Sequence, residues 1–181
     1  MNLHEKIYNL WIDRLIWVRQ LILSMMLGLR DVNVVAQRLT RNSSDFGQIL
    51  GSIYGIDARE RFNYLLTQYI STLSEVVSTI KAGQNIAPLM QNWYSIVDEI
   101  VDFLFQLNSY WVKDVIQSLI QRQLQLELEY AYKLNRGQFA EGVTNFDFAY
   151  DNAIKAAQIM LYGIKAQLVL NNPRVPPPIV S

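Results

Sequence analysis

The sequence predicts an all-α protein: an up-and-down bundle of four to five long helices, with one or two short helices after the first and a proline-rich C-terminal tail. Apolar residues recur at helical spacing over long segments, and the period-two alternation typical of strands is scarce. Glycine and proline number only 8 and 5 in 181 residues. A chain of this length can bury one sizeable core, so we expect one bundle domain over 1–171 and an extended tail over 172–181.

The N-terminal part is predicted to contain one long helix and two short ones. The long helix spans 3–29, where its apolar stripe ends beside Gly28. A cap at Asp31 predicts a shorter helix that runs to about residue 40. The polar run Asn42-Ser43-Ser44-Asp45 predicts a break, after which a second short helix is expected over 46–55.

The remaining long helices are separated by glycine or by polar cap residues. We expect them over 57–82, 88–107, 111–134 and 146–171. Gly83 ends the first of these, and Pro88 is tolerated in the first turn of the next. Thr144-Asn145 is predicted to cap the last helix. The connections are short, so neighbouring long helices should be antiparallel.

The C-terminal tail contains three consecutive prolines, which favour a polyproline-II conformation. A solvated or loosely docked tail is the simpler interpretation. The alternative is a stiff arm that docks on a neighbouring subunit, because a proline segment loses little entropy on binding. The interface residues predicted on that basis are Pro176, Pro177, Pro178, Ile179 and Val180.

Composition excludes several classes of function. Lys+Arg and Asp+Glu each number 16, so the formal net charge is zero and no basic stripe for nucleic acid is expected. Cysteine is absent, which excludes disulfides and thiolate chemistry. Only 18% of residues are charged, below the ~25% of an average domain. The low charge implies either a polar, uncharged exterior supplied by Gln and Asn, or extra surface buried by self-association into a homo-oligomer or a larger assembly.

The sequence predicts neither a membrane span nor a signal peptide. The most apolar stretch, Leu21 to Leu29, is far shorter than the ~20 residues that a spanning helix needs. Acidic residues precede it at Glu5 and Asp13, and Arg30-Asp31 follow without a small-residue cleavage pattern. A cytoplasmic location is therefore expected.

Side chains suited to catalysis or metal binding are few. The single histidine, His4, lies near the terminus, where a catalytic base would be poorly held. The Glu-x-x-His pairs typical of di-metal bundles do not occur. Two i, i+4 aspartate pairs are candidates for a hard cation, although solvated helix faces explain them more simply. They are Asp98 with Asp102 and Asp147 with Asp151.

Short motifs along most of residues 1 to 170 resemble a family of small uncharacterised bacterial helical proteins. They are Trp11-x-x-Arg14, Trp17-x-Arg19 and Ser24; Arg38-Leu39-x-Arg41-Asn42-x-x-Asp45-x-Gly47; Tyr54-Gly55; Leu65-Leu66-x-x-Tyr69-Ile70; Trp93; Asp98-x-Ile100-x-x-Phe103-Leu104; Asn108; Trp111; Gly163-Ile164; and Gln167.

The resemblance implies a histidine-depleted member of that family. Histidines of the family occupy several helix positions that could line a bundle interior and bind a metal. The matching positions in this sequence are Arg14, Tyr69, Gln123, Tyr150 and Asn152, none of which is histidine. The resemblance therefore implies a scaffold that has lost such a site, and it favours a structural role.

Taken together, these observations predict a non-enzymatic, self-associating helical bundle with a structural or scaffold role and no cofactor. Two alternatives remain open. One is a metal- or small-ligand-binding bundle that uses interior carboxylates. The other is an adaptor that binds another protein through an exposed apolar stripe.

Overall fold

The computed structural model describes residues 2 to 170, which form six α-helices and no strand. They are α1 (Leu3–Leu27), α2 (Val32–Tyr54), α3 (Ile56–Lys81), α4 (Ala87–Leu107), α5 (Lys113–Asn135) and α6 (Phe139–Leu170). The all-α prediction is confirmed. None of the helices in this part of the chain is both long and apolar enough to cross a membrane. The predicted interface residues Pro176, Pro177, Pro178, Ile179 and Val180 lie outside the described residues.

The six helices are arranged as a central trio with three outer helices. Helices α1, α3 and α5 contact one another, and each outer helix covers one groove of this trio. Helix α2 packs on α1 and α3, α4 packs on α3 and α5, and α6 packs on α5 and α1. Consecutive helices are joined by short connections, so each outer helix runs antiparallel to its neighbours in sequence.

The three central helices therefore run parallel to one another, and individual contacts agree with this direction. Arg14 of α1 lies over the ring of Tyr69 of α3. Nearer the C-terminal ends of the same two helices, the Lys81 Nζ donates a hydrogen bond to the Met25 carbonyl oxygen at 2.7 Å. Residues at equivalent heights on α1, α3 and α5 consequently face one another across the core.

The predicted break in the N-terminal region is wrong, because α2 is one continuous helix of 23 residues. Asn42 and Ser43 are fully buried, and the side chain of each donates a hydrogen bond to a backbone carbonyl oxygen. The Asn42 Nδ2 donates to the Leu10 carbonyl oxygen at 3.0 Å. Further along, Gly47 and Gly51 allow close approach of α3, since a Cβ at Gly51 would lie 2.8 Å from the Arg59 Cβ. Packing against α1 and α3 thus stabilises a helix that local sequence disfavours.

The start of α6 also differs from its prediction. The helix begins at Phe139, so Thr144 and Asn145 lie inside it and do not cap it. Asn145 is buried, and its Nδ2 donates to the Glu129 Oε2 of α5 at 3.1 Å. Asn145, which was expected to cap the start of α6, instead links α6 to α5.

Trp111 lies in the connection before α5, not within that helix as predicted, and it is one of the largest side chains in the core. Its Nε1 donates to the Met160 carbonyl oxygen of α6 at 3.0 Å. Gly163, one turn further along α6, packs directly against the indole ring and leaves no room for a Cβ. The indole therefore fixes the position of α6 relative to the end of α4.

Candidate functional site

The four aspartates proposed for a hard cation are all exposed, so they do not form an interior site. Asp102 pairs with Lys113, and the Asp98 Oδ1 accepts a hydrogen bond from the Gln117 Nε2 at 3.2 Å. Asp147 and Asp151 lie on the exposed face of α6. Among residues 2 to 170 there is no group of three or more His, Cys, Asp or Glu side chains arranged to hold a metal ion.

His4 is exposed on the first turn of α1, where it stacks on Tyr8 with ring centroids 4.5 Å apart. The stacking contact is typical of a side chain on the surface of a helix. The adjacent capping box, in which the Glu5 amide donates to the Asn2 Oδ1 at 2.9 Å, holds the turn in place.

A cluster of buried polar side chains lies in the bundle core, where the three central helices meet at one height. We define the core cluster as Arg14 of α1, Tyr69 of α3, Gln123 and Glu127 of α5, and Asn152 of α6. Arg14, Glu127 and Asn152 are 9%, 6% and 8% exposed. Four helices thus contribute polar groups to a region that is otherwise apolar.

Hydrogen bonds connect most members of the core cluster. The Tyr69 hydroxyl donates to the Glu127 Oε2 at 2.7 Å, and the Gln123 Nε2 donates to the Glu127 Oε1 at 3.3 Å. The Asn152 Nδ2 donates to the Gln123 Oε1 at 3.1 Å and to the Leu119 carbonyl oxygen at 3.0 Å. Both carboxylate oxygens of Glu127 are therefore occupied by neutral donors.

Arg14 is the least satisfied member of the core cluster. Its Nη1 donates one long hydrogen bond to the Ser43 Oγ, at 3.5 Å, and its guanidinium carbon lies 5.4 Å from the centre of the Tyr69 ring. The ion pairs within 4.0 Å among residues 2 to 170 do not include Arg14 or Glu127. The buried cation and the buried carboxyl group are neighbours without a direct bond.

Burial shifts the titration of all three ionisable groups in the core cluster towards the neutral form. Desolvation lowers the pKa of Arg14, although the nearby Glu127 opposes this shift. Desolvation raises the pKa of Glu127, against the hydrogen bond from Tyr69 and the charge of Arg14. The pKa of Tyr69 is raised well above its usual value, first by burial and then by the charge of Glu127.

A partly enclosed cavity, which we call the core cavity, adjoins the core cluster. All five cluster residues line it, together with Trp11, Phe62, Leu66, Ile100, Leu104, Trp111, Ile116, Leu119, Ile120, Ala156, Ile159 and Met160. The space open to the centres of water-sized spheres is about 70 Å³. A single water needs ~10–15 Å³ of such space, so the cavity has room for several waters or a small organic molecule.

The wall of the core cavity is aromatic and aliphatic except at the core cluster. Trp11, Phe62 and Trp111 contribute rings from three different parts of the fold. The buried Trp11 Nε1 donates no hydrogen bond to any described residue. An apolar cavity with a few convergent polar groups is the usual form of a small-molecule site.

A second, smaller cavity lies on another side of Glu127. Gln123 and Glu127 line both spaces, and the smaller one measures about 20 Å³. Arg19 also lines it, with its guanidinium carbon 5.2 Å from the Tyr130 ring centre and 5.0 Å from that of Phe146. This cavity is little larger than one water, so it does not suggest a separate ligand site.

Sequence reasoning identified no convergent polar groups, yet four of the five positions named from the resemblance belong to the core cluster. They are Arg14, Tyr69, Gln123 and Asn152, whereas Tyr150 is 42% exposed. Glu127 was not singled out as a candidate. A usable signal was present in its spacing, since Leu124, Glu127, Ala131 and Leu134 recur on one buried face of α5.

Comparisons with protein-family models, with curated proteins and with solved structures gave no match for this chain. The relationship to a bacterial helical family therefore stays a prediction from the sequence motifs.

Proposed function

We propose that this protein is a ligand-binding helical bundle that holds a small, mainly apolar molecule in the core cavity. The observation on which this rests is the convergence of polar side chains from four helices on an apolar, partly enclosed space. The proposed role is binding, not catalysis. It corresponds to the small-ligand alternative predicted from the sequence, with a different set of residues.

The free-energy cost of the cavity and of the buried charges supports this interpretation. A well-packed core would be more stable without the cavity, since an empty space costs about 24 cal/mol per Å³, or about 1.7 kcal/mol for 70 Å³. Burying ions that make no close pair costs several kcal/mol each. Local departures from good packing of this size are typical of functional sites. A ligand that fills the cavity would offset both costs.

The proposal is tested by urea unfolding in the presence of toluene, indole or benzamide. A ligand at ten times its Kd should raise the free energy of unfolding by about 1.4 kcal/mol. Trp11 and Trp111 line the cavity, so their fluorescence should change over the same concentration range. The control is Ala156→Leu, which places a larger side chain on the cavity wall and should abolish both effects. Absence of stabilisation by every probe would contradict the proposal.

Self-association is a second candidate function, and the surface around the α4–α5 connection favours it. Phe105, Tyr110, Val112 and Val115 are all exposed there, although each is large and apolar. Apolar residues grouped in this way are typical of contact surfaces, and a second copy of a chain with zero net charge would meet no long-range repulsion.

Size-exclusion chromatography with light scattering tests self-association. An oligomer is expected at high protein concentration, and Val112→Ser should weaken it. Deletion of residues 172–181 separates a role of the proline-rich tail from a role of this surface. A monomer at high concentration, unaffected by either change, would exclude the self-associating scaffold and leave the adaptor alternative.

A further inference from the structure

The cavity wall offers hydrogen-bond donors in excess of acceptors. A guanidinium group has five N–H donors, and Arg14 uses one of them in a hydrogen bond of 3.5 Å. Both oxygens of Glu127 already accept hydrogen bonds, from Tyr69 and from Gln123. A ligand that completes the site must therefore supply acceptors next to Arg14.

The acceptor that best fits an under-satisfied, buried guanidinium is a carboxylate. Its two oxygens match the planar fork of N–H groups, and charge-assisted hydrogen bonds are about twice as strong as neutral ones. The remaining wall is aromatic and aliphatic, so the rest of the ligand should be a compact apolar group. The cavity is small and lies in the core, which favours a free acid over a peptide.

We infer that the ligand is a small apolar monocarboxylic acid, that Arg14 binds its carboxylate, and that Glu127 takes up a proton when the ligand binds. This inference rests on the proposed function and makes it specific. The step is an acid–base transfer: one proton moves from solvent to a carboxylate oxygen of Glu127, and no other bond is made or broken.

Charge balance is the reason for the proton. Without ligand, Arg14 and Glu127 together carry no net charge, whereas an added carboxylate would leave one uncompensated negative charge in a buried site. Protonation of Glu127 restores neutrality. Burial already raises the pKa of Glu127, so the proton is acquired at a smaller cost than at an exposed carboxylate.

The groups that face Glu127 from the neighbouring helices are arginines, tyrosines, neutral amides and apolar side chains, so Glu127 is the group that takes up the proton. Helix α1 presents Arg14 and, in the smaller cavity, Arg19, and α5 itself presents Tyr130 there. Helix α3 presents Tyr69. Helix α4 contributes the apolar Ile100 and Leu104 to the cavity wall, and α6 contributes neutral side chains that include Asn152 and Asn145.

Isothermal titration calorimetry with benzoate and benzamide tests the inference, because the two probes share a shape and differ in charge. Benzoate should bind the wild-type protein about 10-fold or more tightly than benzamide, as expected for hydrogen bonds to a charged group. Titrations in two buffers of different ionisation enthalpy should show uptake of about one proton per benzoate. Because one proton is taken up with each benzoate, the affinity for benzoate should fall by up to tenfold for each unit of rise in pH.

Two variants test proton uptake by Glu127 and carboxylate binding by Arg14 separately. Glu127→Gln should bind benzoate without proton uptake and without the pH dependence. The double variant Arg14→Met with Glu127→Gln removes both charges together, which avoids an unpaired buried ion, and should reduce the ratio of benzoate affinity to benzamide affinity to about one.

The outcomes are distinguishable. If benzamide binds as tightly as benzoate, or benzoate binds without proton uptake, the inference is wrong and the proposed function stands. If neither probe binds, the inference is wrong, and the proposed function fails with it only if toluene and indole also leave the free energy of unfolding unchanged. Equal preference for benzoate in the wild type and in the double variant would show that Arg14 does not bind the carboxylate.

Discussion

Replacing Ala156 by leucine should stabilise the unliganded fold, which is unusual for an enlargement of a buried side chain. Ala156 lies on the wall of the core cavity and is 8% exposed. Leucine adds three carbons, and at ~0.8 kcal/mol for each buried carbon the gain is at most about 2.4 kcal/mol. Ordering the new side chain costs about 0.5–1 kcal/mol. A net increase of about 1–2 kcal/mol in the free energy of unfolding is expected.

The matched control is Ala157→Leu, one residue further along the same helix. Ala157 is 0% exposed and belongs to the packed core, and it does not line either interior cavity. Overpacking at such a position costs about 1–3 kcal/mol. Both changes replace alanine by leucine inside α6, so their helix-propensity effects cancel in the comparison.

Urea unfolding followed by circular dichroism measures both effects on one scale. The two variants should differ by about 2–5 kcal/mol, with Ala156→Leu the more stable. Equal destabilisation by the two substitutions would contradict this expectation, because it would mean that no usable space exists beside Ala156.

Three further predictions concern single residues. Tyr69→Phe removes the hydrogen bond to the buried Glu127 and should lower the free energy of unfolding by about 1.5–3 kcal/mol, whereas no change in urea unfolding would mean that this bond is not formed. Burial raises the pKa of Glu127 in the folded state. Above the ordinary carboxyl pKa, the folded protein therefore binds more protons than the unfolded chain. The contribution of Glu127 to stability consequently falls as the pH rises through the folded-state pKa. Glu127→Gln should therefore gain stability relative to the wild type as the pH rises from the ordinary carboxyl pKa to the raised pKa of Glu127 in the folded state, and parallel pH profiles would contradict the shift. Gly163→Ala places a Cβ against the Trp111 indole and should lower the free energy of unfolding by about 1–3 kcal/mol or more, so a variant of wild-type stability would show that the indole moves aside easily.

The parts of the fold that the sequence predicts are those with strong local signals. The apolar stripes of α1, α3 and α4 give helices within a few residues of their observed bounds, since each stripe is long and ends beside a glycine, proline or asparagine. Helix α2 is different, because its buried polar residues Asn42 and Ser43 form hydrogen bonds to α1 and within the helix. No local pattern shows that such partners exist.

Composition and periodicity did not identify the core cluster, four members of which were named only through the resemblance, because polar residues in a helix are ordinarily assigned to its exposed face. Arg14 lies between Trp11 and Val18 on the buried side of α1, and Glu127 lies among leucines on α5. Each is therefore a polar residue within an apolar stripe, which is a readable signal in one helix. Only the parallel arrangement of α1, α3 and α5 brings the two to the same height, and that arrangement follows from long-range packing.

The most direct test of the account is an NMR measurement of nuclear Overhauser effects between bound benzoate or benzamide and the methyl groups of the protein. If the ligand binds in the core cavity, effects are expected to Ala156, Ile159 and Met160, whose side chains line it. Effects confined to exposed methyl groups such as those of Val112, or no effects at saturating ligand, would contradict a ligand site in the core of the bundle.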